Sequence, residues 1–236
     1  MILEICAQSY QAAINAAAGG ADRLELCAHL GGGGITPSLG VLSILKKEIS
    51  IPIYVLIRPR PGHFYYTPGE CSIMIRDIEY FAAEGADGIV SGCLTRDDLP
   101  DLYCLQRMLQ AAKGLPFTFH RAFESIKDPF SALDQLSNLG INRILTGGKS
   151  GNAFESRNEL KTLQEYAGSR LIILAGSGVN LDNLFELLHS SRVKEVHSSA
   201  KYNIQSLITT EIDLFDSDPV IVKALSAICR SYSVEH

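Results

Sequence analysis

A chain of 236 residues with 46% apolar and 20% charged side chains can bury a sizeable core and carries no compositional sign of disorder. Its net charge of −5 excludes the basic footprint that binding to a phosphate backbone requires, so nucleic acid is not an expected partner. The opening run Met1-Ile2-Leu3-Glu4-Ile5-Cys6 has no basic leader, and no stretch approaches about 18 uninterrupted apolar residues, so neither a signal peptide nor membrane association is expected and a cytoplasmic setting is.

Short β-rich runs alternate along the chain with longer segments of helical period. The strands are expected near Ile2–Cys6, Arg23–Cys27, Ile53–Ile57, Gly88–Ser91, Phe117–His120, Arg143–Thr146, Leu171–Ala175 and Glu195–Ser198. Gly20-Ala21-Asp22, Gly85-Ala86-Asp87 and Gly140-Ile141-Asn142 each follow a helical segment and precede an apolar run, as expected of helix-to-strand joints with a left-handed glycine. Thr67-Pro68-Gly69-Glu70 reads as a helix start with a capping threonine, proline at the first position and a capping-box glutamate. Asp128-Pro129 and Asn180 before Leu181 give similar starts. An open doubly wound sheet would show the same alternation, but the absence of any Pro-, Ser- or charge-rich linker favours closure. The fold class predicted is α/β, a single (β/α)8 barrel domain over 1–236. The segment from about 199 is an extension with no assigned barrel element, although Pro219–Arg230 reads as a helix.

Side chains alternate across a strand, so Glu4 and Cys6 share one face against Leu3 and Ile5, and Glu25 and Cys27 share one against Leu24 and Leu26. The apolar face must pack on helices, which turns the glutamates and cysteines into the barrel. By the same parity Arg58, His120 and His197 reach the C-terminal rim, where barrel enzymes carry their chemistry. Glu25, His120, Glu4 and His197 are therefore candidate acid–base residues, set against the plainer reading of a satisfied ionic network. Arg58 and Arg60 are candidate anion ligands. They are joined by the glycine turns Thr146-Gly147-Gly148 and Gly176-Ser177-Gly178, since backbone N–H groups in such turns can cradle an anion; Thr146, Gly176 and Gly178 complete that set. The glycine run at Gly31–Gly34 and the aromatic segment Pro61–Tyr66 are candidate lids or anchored surface loops.

Six cysteines lie scattered without a CxxC pair and are expected as reduced thiols. Cys6 and Cys27 end adjacent strands, so they can form a two-thiol site selective for a soft ion such as Cu(I); buried core filling is the alternative. Cys71 and Cys104, on predicted helices, and Cys93, in a loop, read as packing or incidental surface residues.

The runs Gly20–Cys27, Gly33–Ser38, Ile57–Arg60, Phe119–Phe123, Ile144–Thr146 and Glu195–Ser198, in this order, resemble the CutC family from Leu3 to about Ala200. The resemblance implies a barrel fold, a cytoplasmic role in copper homeostasis and copper binding at Cys6 and Cys27. Gly147, Glu124 and His63 depart from that family's usual pattern. Two functions follow: Cu(I) held by two thiolates, or an enzyme acting on a small anionic, perhaps phosphorylated, metabolite. In the second, Arg58, Arg60 and the Gly176 turn bind the anion, and Glu25 or His120 moves a proton. A silent interaction scaffold is a third. A homodimer is the expected assembly.

Overall fold

A computed structural model describes residues 1–203 and 215–235. In chain order the elements are β1 (Ile2–Ala7), α1 (Tyr10–Ala18), β2 (Arg23–Leu26), α2 (Leu39–Glu48), β3 (Ile53–Leu56), α3 (Pro68–Ala83), β4 (Gly88–Ser91) and α4 (Leu102–Ala111). They continue with β5 (Phe117–Phe119), α5 (Pro129–Leu139), β6 (Arg143–Thr146), α6 (Arg157–Ala167), β7 (Ile172–Ala175), α7 (Leu184–Ser191) and β8 (Glu195–Ser198). After these come β9 (Lys201–Asn203), β10 (Phe215–Ser217) and α8 (Pro219–Glu235). Strands β1 to β8 pair in sequence order, all parallel, and β8 returns to β1, closing the (β/α)8 barrel.

The closure follows from a two-sided pattern on each strand. Leu3, Ile5, Leu24, Leu26, Ile53, Val55, Ile89, Phe117, Phe119, Ile144, Ile173 and Val196 turn outward and are fully buried under the helices. Each such side chain contributes about 1.5–3 kcal/mol on burial. The opposite parity sends Glu4, Arg23, Glu25, Tyr54, Thr118, Arg143 and Glu195 inward, and all seven are buried.

Local signals set the element ends. Thr67 and Glu70 form the reciprocal capping box of α3 with Pro68 at its start, and Asp128 accepts from the Phe130 and Ser131 N–H groups at the start of α5. Gly20, Gly85 and Gly140 all take left-handed backbones, with φ of 88°, 94° and 99°. The expected helix start at Asn180 is displaced: Asn180 and Asn183 build a turn first, and α7 begins only at Leu184.

After 199 the strand–helix pattern predicts only a helix over Pro219–Arg230. The structure extends it to α8, which packs against α1, α7 and β1 and takes the place of the eighth barrel helix. Val222, Leu225 and Cys229 bury its inner face, and Ser226 Oγ donates to the Gly20 carbonyl at 2.9 Å. The antiparallel pair β9–β10 lies outside the barrel, and residues 204–214 of the extension lie outside the described residues.

Inside the barrel, Gly88 leaves room for the Tyr54 ring. A Cβ there would lie 2.7 Å from three carbons of the Tyr54 ring. Gly88→Ala should therefore destabilise by about 1–3 kcal/mol through overpacking, read as a lower denaturant midpoint at unchanged slope. Adding Tyr54→Leu should recover part of the loss, and strict additivity of the two changes would refute the contact.

Candidate metal centre at the barrel mouth

The interior is polar from its floor upward. On the floor, Arg23 Nη2 donates to Glu195 Oε2 at 2.5 Å, and Arg143 donates to the same carboxylate through Nε and Nη2 at 2.6 and 3.0 Å. The Tyr54 ring lies under both guanidiniums, with Arg23 Cζ 4.8 Å and Arg143 Cζ 5.5 Å from its centroid. Arg23 Nε donates to Glu4 Oε2 at 2.5 Å, joining the floor to the next layer. Arg23, Arg143, Glu195 and Tyr54 were not singled out from the sequence, although each obeys the alternation that exposed Glu4 and Glu25.

Above the floor, Glu4 Oε1 lies 2.7 Å from His197 Nδ1. Burial alone would raise the Glu4 carboxyl, but Arg23 and then His197 outweigh it and hold it at about 2. An ionised carboxylate only accepts, so the proton between them sits on Nδ1 and leaves Nε2 as the nitrogen that could take a metal. Burial pulls His197 down, yet Glu25 and Glu4 together keep it above the usual imidazole range.

At the strand ends, Cys6 Sγ lies 3.5 Å from Cys27 Sγ and donates to Glu25 Oε1 at 3.4 Å. Cys6, Glu25 and His197 each bring a ligand atom within 4.8 Å of the others. The hydrogen bond with Cys27, then burial, then the Glu25 carboxylate push the Cys6 thiol well above its ordinary value. Burial raises Glu25, opposed by His197 and reinforced by Glu4, and its Oε2 is buried without a hydrogen-bond partner. The arrangement is a set of protonated soft donors with a carboxylate beside one of them. Any ion that binds must displace thiol protons, and Glu25 is placed to receive the one on Cys6.

The remaining predicted residues divide between two places. Arg58 is buried, but its Nη1 donates to the Gly33 and Gly34 carbonyls at 2.9 Å and its Nη2 to the Gly62 carbonyl at 2.7 Å. Its fork therefore pins the two candidate lid loops instead of facing outward as an open anion clamp. His120 stands nearby with its ring 4.8 Å from that of Phe64, which also carries Arg58 Cζ 4.9 Å from its centroid. Arg60 is not brought inside: it pairs with Glu70 and donates to the Tyr65 carbonyl at 3.0 Å.

The glycine turns face chain groups. Gly147 N–H donates to Glu124 Oε1 at 2.7 Å, Gly148 N–H to Thr146 Oγ1 at 2.9 Å and Lys149 N–H to Glu159 Oε2 at 3.0 Å. Gly176 N–H donates to the Thr146 carbonyl at 3.0 Å, and the Gly178 carbonyl accepts from Asn180 and Asn183. Thr146, Gly176 and Gly178 are thus turned on one another and on their neighbours, with internal carboxylates in the cradle expected to hold a free anion.

A family model described as the CutC family matches residues 1–202. The chain belongs to the CutC family. A human relative named copper homeostasis protein cutC homolog is 38% identical, across 99% of this chain and 90% of its own. A CutC family protein from Bacteroides thetaiotaomicron is 45% identical over 86% of this chain and 82% of its own. The crystal structure of a CutC protein from Streptococcus agalactiae superposes with a TM-score of 0.80 at 35% identity, covering 84% of this chain and 98% of that one. A thiamine phosphate pyrophosphorylase from Pyrococcus furiosus, with a TM-score of 0.62 at 13% identity over 98% of this chain and 96% of its own, shares the barrel alone.

Within this CutC barrel the depressed Glu4 carboxyl has a thermodynamic consequence. A group whose folded pKa is lowered from 4.5 to about 2 stabilises the fold above the higher value and loses that contribution as pH falls toward the lower. In metal-free protein, Glu4→Gln should cost about 3–5 kcal/mol at neutral pH because Arg23 loses a buried partner. It should also flatten the loss of stability between pH 4.5 and about 2. Parallel acid limbs for wild type and variant in denaturant titrations would contradict this assignment.

Proposed function

We propose that this CutC-family protein acts in copper homeostasis by holding Cu(I) between the Cys6 and Cys27 thiolates and His197 Nε2, in the reducing cytoplasm where thiols persist. The observation that carries the reading is a pair of thiols 3.5 Å apart, one of which, Cys6, has a His197 ring nitrogen within 4.8 Å, with that ring oriented by the Glu4 carboxylate. Cys6 and Cys27 are buried and in no disulfide, as a thiol-based site requires.

The separation of the sulfurs favours three donors over two. With a metal–thiolate bond of about 2.3 Å, the zinc value, linear coordination would set the sulfurs about 4.6 Å apart. At 3.5 Å they subtend a bent angle and leave one side of the ion open. Imidazole is the softer of the two remaining donors, so His197 closes that side and Glu25 serves as the proton acceptor. Glu4 then acts as the outer carboxylate that orients the histidine. At 13% side-chain exposure, His197 is the donor through which an ion reaches the buried thiols.

Competition against a Cu(I) chelator under reducing conditions tests this. Cys6→Ser and Cys27→Ser should each remove most of the affinity, and His197→Gln should weaken it by about 10–100-fold. Equal binding by wild type and the double serine variant would eliminate the site. Wild-type affinity should rise with pH across the neutral range by about tenfold per pH unit for each proton released, because the bound form needs thiolates. A pH-independent affinity would mean that the thiols are not the ligands.

A further inference from the structure

The β3–β5 side of the mouth holds a second group of buried polar atoms that the copper site does not use. Arg58 Nε, Tyr66 Oη and His120 Nε2 are each buried without a hydrogen-bond partner. They share one neighbourhood. Phe64 lies between the Arg58 guanidinium and the His120 ring, and the Arg58 charge acts on both His120 and Tyr66. Among the described residues no carboxylate pairs with Arg58, although 95% of its surface is buried, its relative exposure being 5%.

All three atoms are donors. His120 Nδ1 accepts from the Ala122 N–H at 3.2 Å, so the neutral ring carries its proton on Nε2. Burial and then Arg58 push its pKa down to about 3, which keeps it neutral. The Tyr66 phenol stays protonated, raised to about 12 by burial against the opposing effect of Arg58. Gly92 makes room for the imidazole, since a Cβ there would lie 2.7 Å from Nδ1. The Tyr66 oxygen is within reach of a hydrogen from Arg58, which leaves the phenol and imidazole hydrogens and an arginine with no carboxylate partner, an arrangement costly to bury unless something supplies both an acceptor and a negative charge.

We propose that Arg58 Nε, His120 Nε2 and Tyr66 Oη form a binding site for a small monocarboxylate, roofed by the Pro61–Tyr66 loop with Phe64 as its plug. A carboxylate fits on two counts: it only accepts, with about four lone-pair positions for the three donors, and its single charge matches the single guanidinium. A phosphate at about −1.5 to −2 would overcompensate one cation. The ligand is small because the donors have no solvent-exposed surface while the loop is down, and exchange follows loop opening at exposed Gly62, where φ is 91°. This site stands independently of the copper reading.

The test uses the full-length, metal-free protein with acetate, pyruvate and inorganic phosphate at millimolar concentrations, read by calorimetry and thermal shift. Acetate or pyruvate should bind saturably and raise Tm, with phosphate weaker. Tyr66→Phe should lower carboxylate affinity about tenfold or more while leaving Cu(I) affinity unchanged. Without ligand the same variant should be no less stable than wild type, because the hydroxyl it removes has no acceptor for its hydrogen; a merely structural tyrosine would lose stability instead. His120→Asn should also weaken carboxylate binding. The proposal is overturned if neither carboxylate binds saturably, if phosphate binds more tightly than both, or if Tyr66→Phe and His120→Asn bind carboxylate as wild type does.

Discussion

The chain of contacts Arg143–Glu195–Arg23–Glu4 across the barrel floor is the constraint on which the rest of the interior depends. It ties β6 to β8, β8 to β2 and β2 to β1, so it spans the seam where the first and last strands close. Each of the four side chains is at least nine-tenths buried, and removing any one takes an ionic partner from a buried charge. Such a network is not a strong source of net stability, since apolar residues of equal volume would cost less to bury. What it does is orient: the Arg23 Nε bond to Glu4 Oε2 leaves Glu4 Oε1 for His197 in the layer above.

The copper reading inherits this order. Glu4 is pinned by Arg23 through one oxygen, so its other oxygen is held for His197 Nδ1, which leaves Nε2 open to an ion. A pair of cysteines by itself would not suffice. Cys71 and Cys104 also meet, with sulfurs 2.8 Å apart between α3 and α4; the contact and burial raise the Cys71 thiol, while at Cys104 the lowering effect of Cys71 is outweighed by Cys93 and burial, which raise it. That pair sits under helices, with no oriented imidazole, and reads as packing. The two pairs differ in what surrounds the sulfur rather than in the sulfur itself.

Much of this was legible in the sequence because strand parity is a local rule. Leu3 and Ile5 against Glu4 and Cys6, or Leu24 and Leu26 against Glu25 and Cys27, assign faces without knowledge of any partner. The same rule reaches Arg23, Arg143 and Glu195, but a charged residue at the first position of a strand reads equally well as its solvent-facing boundary, and those three passed unnoticed. Arg58 shows a different limit. Its inward direction follows from position, yet whether its fork meets an anion or the carbonyls of Gly33, Gly34 and Gly62 is decided by loops 24 and 25 residues away in one case and four in the other. The glycine turn at Gly147 is similar, since the occupant of its N–H groups is Glu124, a residue no local pattern connects to it. The helix after 199 was visible as an apolar period, whereas its place beside α1 and α7 required the closed barrel.

Charge balance separates the two halves of the mouth. On the β1, β2 and β8 side three acids, Glu4, Glu25 and Glu195, face two arginines, Arg23 and Arg143, so one positive charge is missing. His197 supplies it as imidazolium, which is why Glu25 and Glu4 hold its proton despite burial. An ion at Nε2 would have to displace a proton there, so proton and metal would compete for one position. Arg58 on the β3 side cannot make up that deficit. Its guanidinium is already committed to the loop carbonyls, while Cys6 and Cys27 pack in a buried cluster with Tyr54, Leu56 and Val90. The barrel therefore holds one group short of positive charge and another short of negative charge, each built on its own strands.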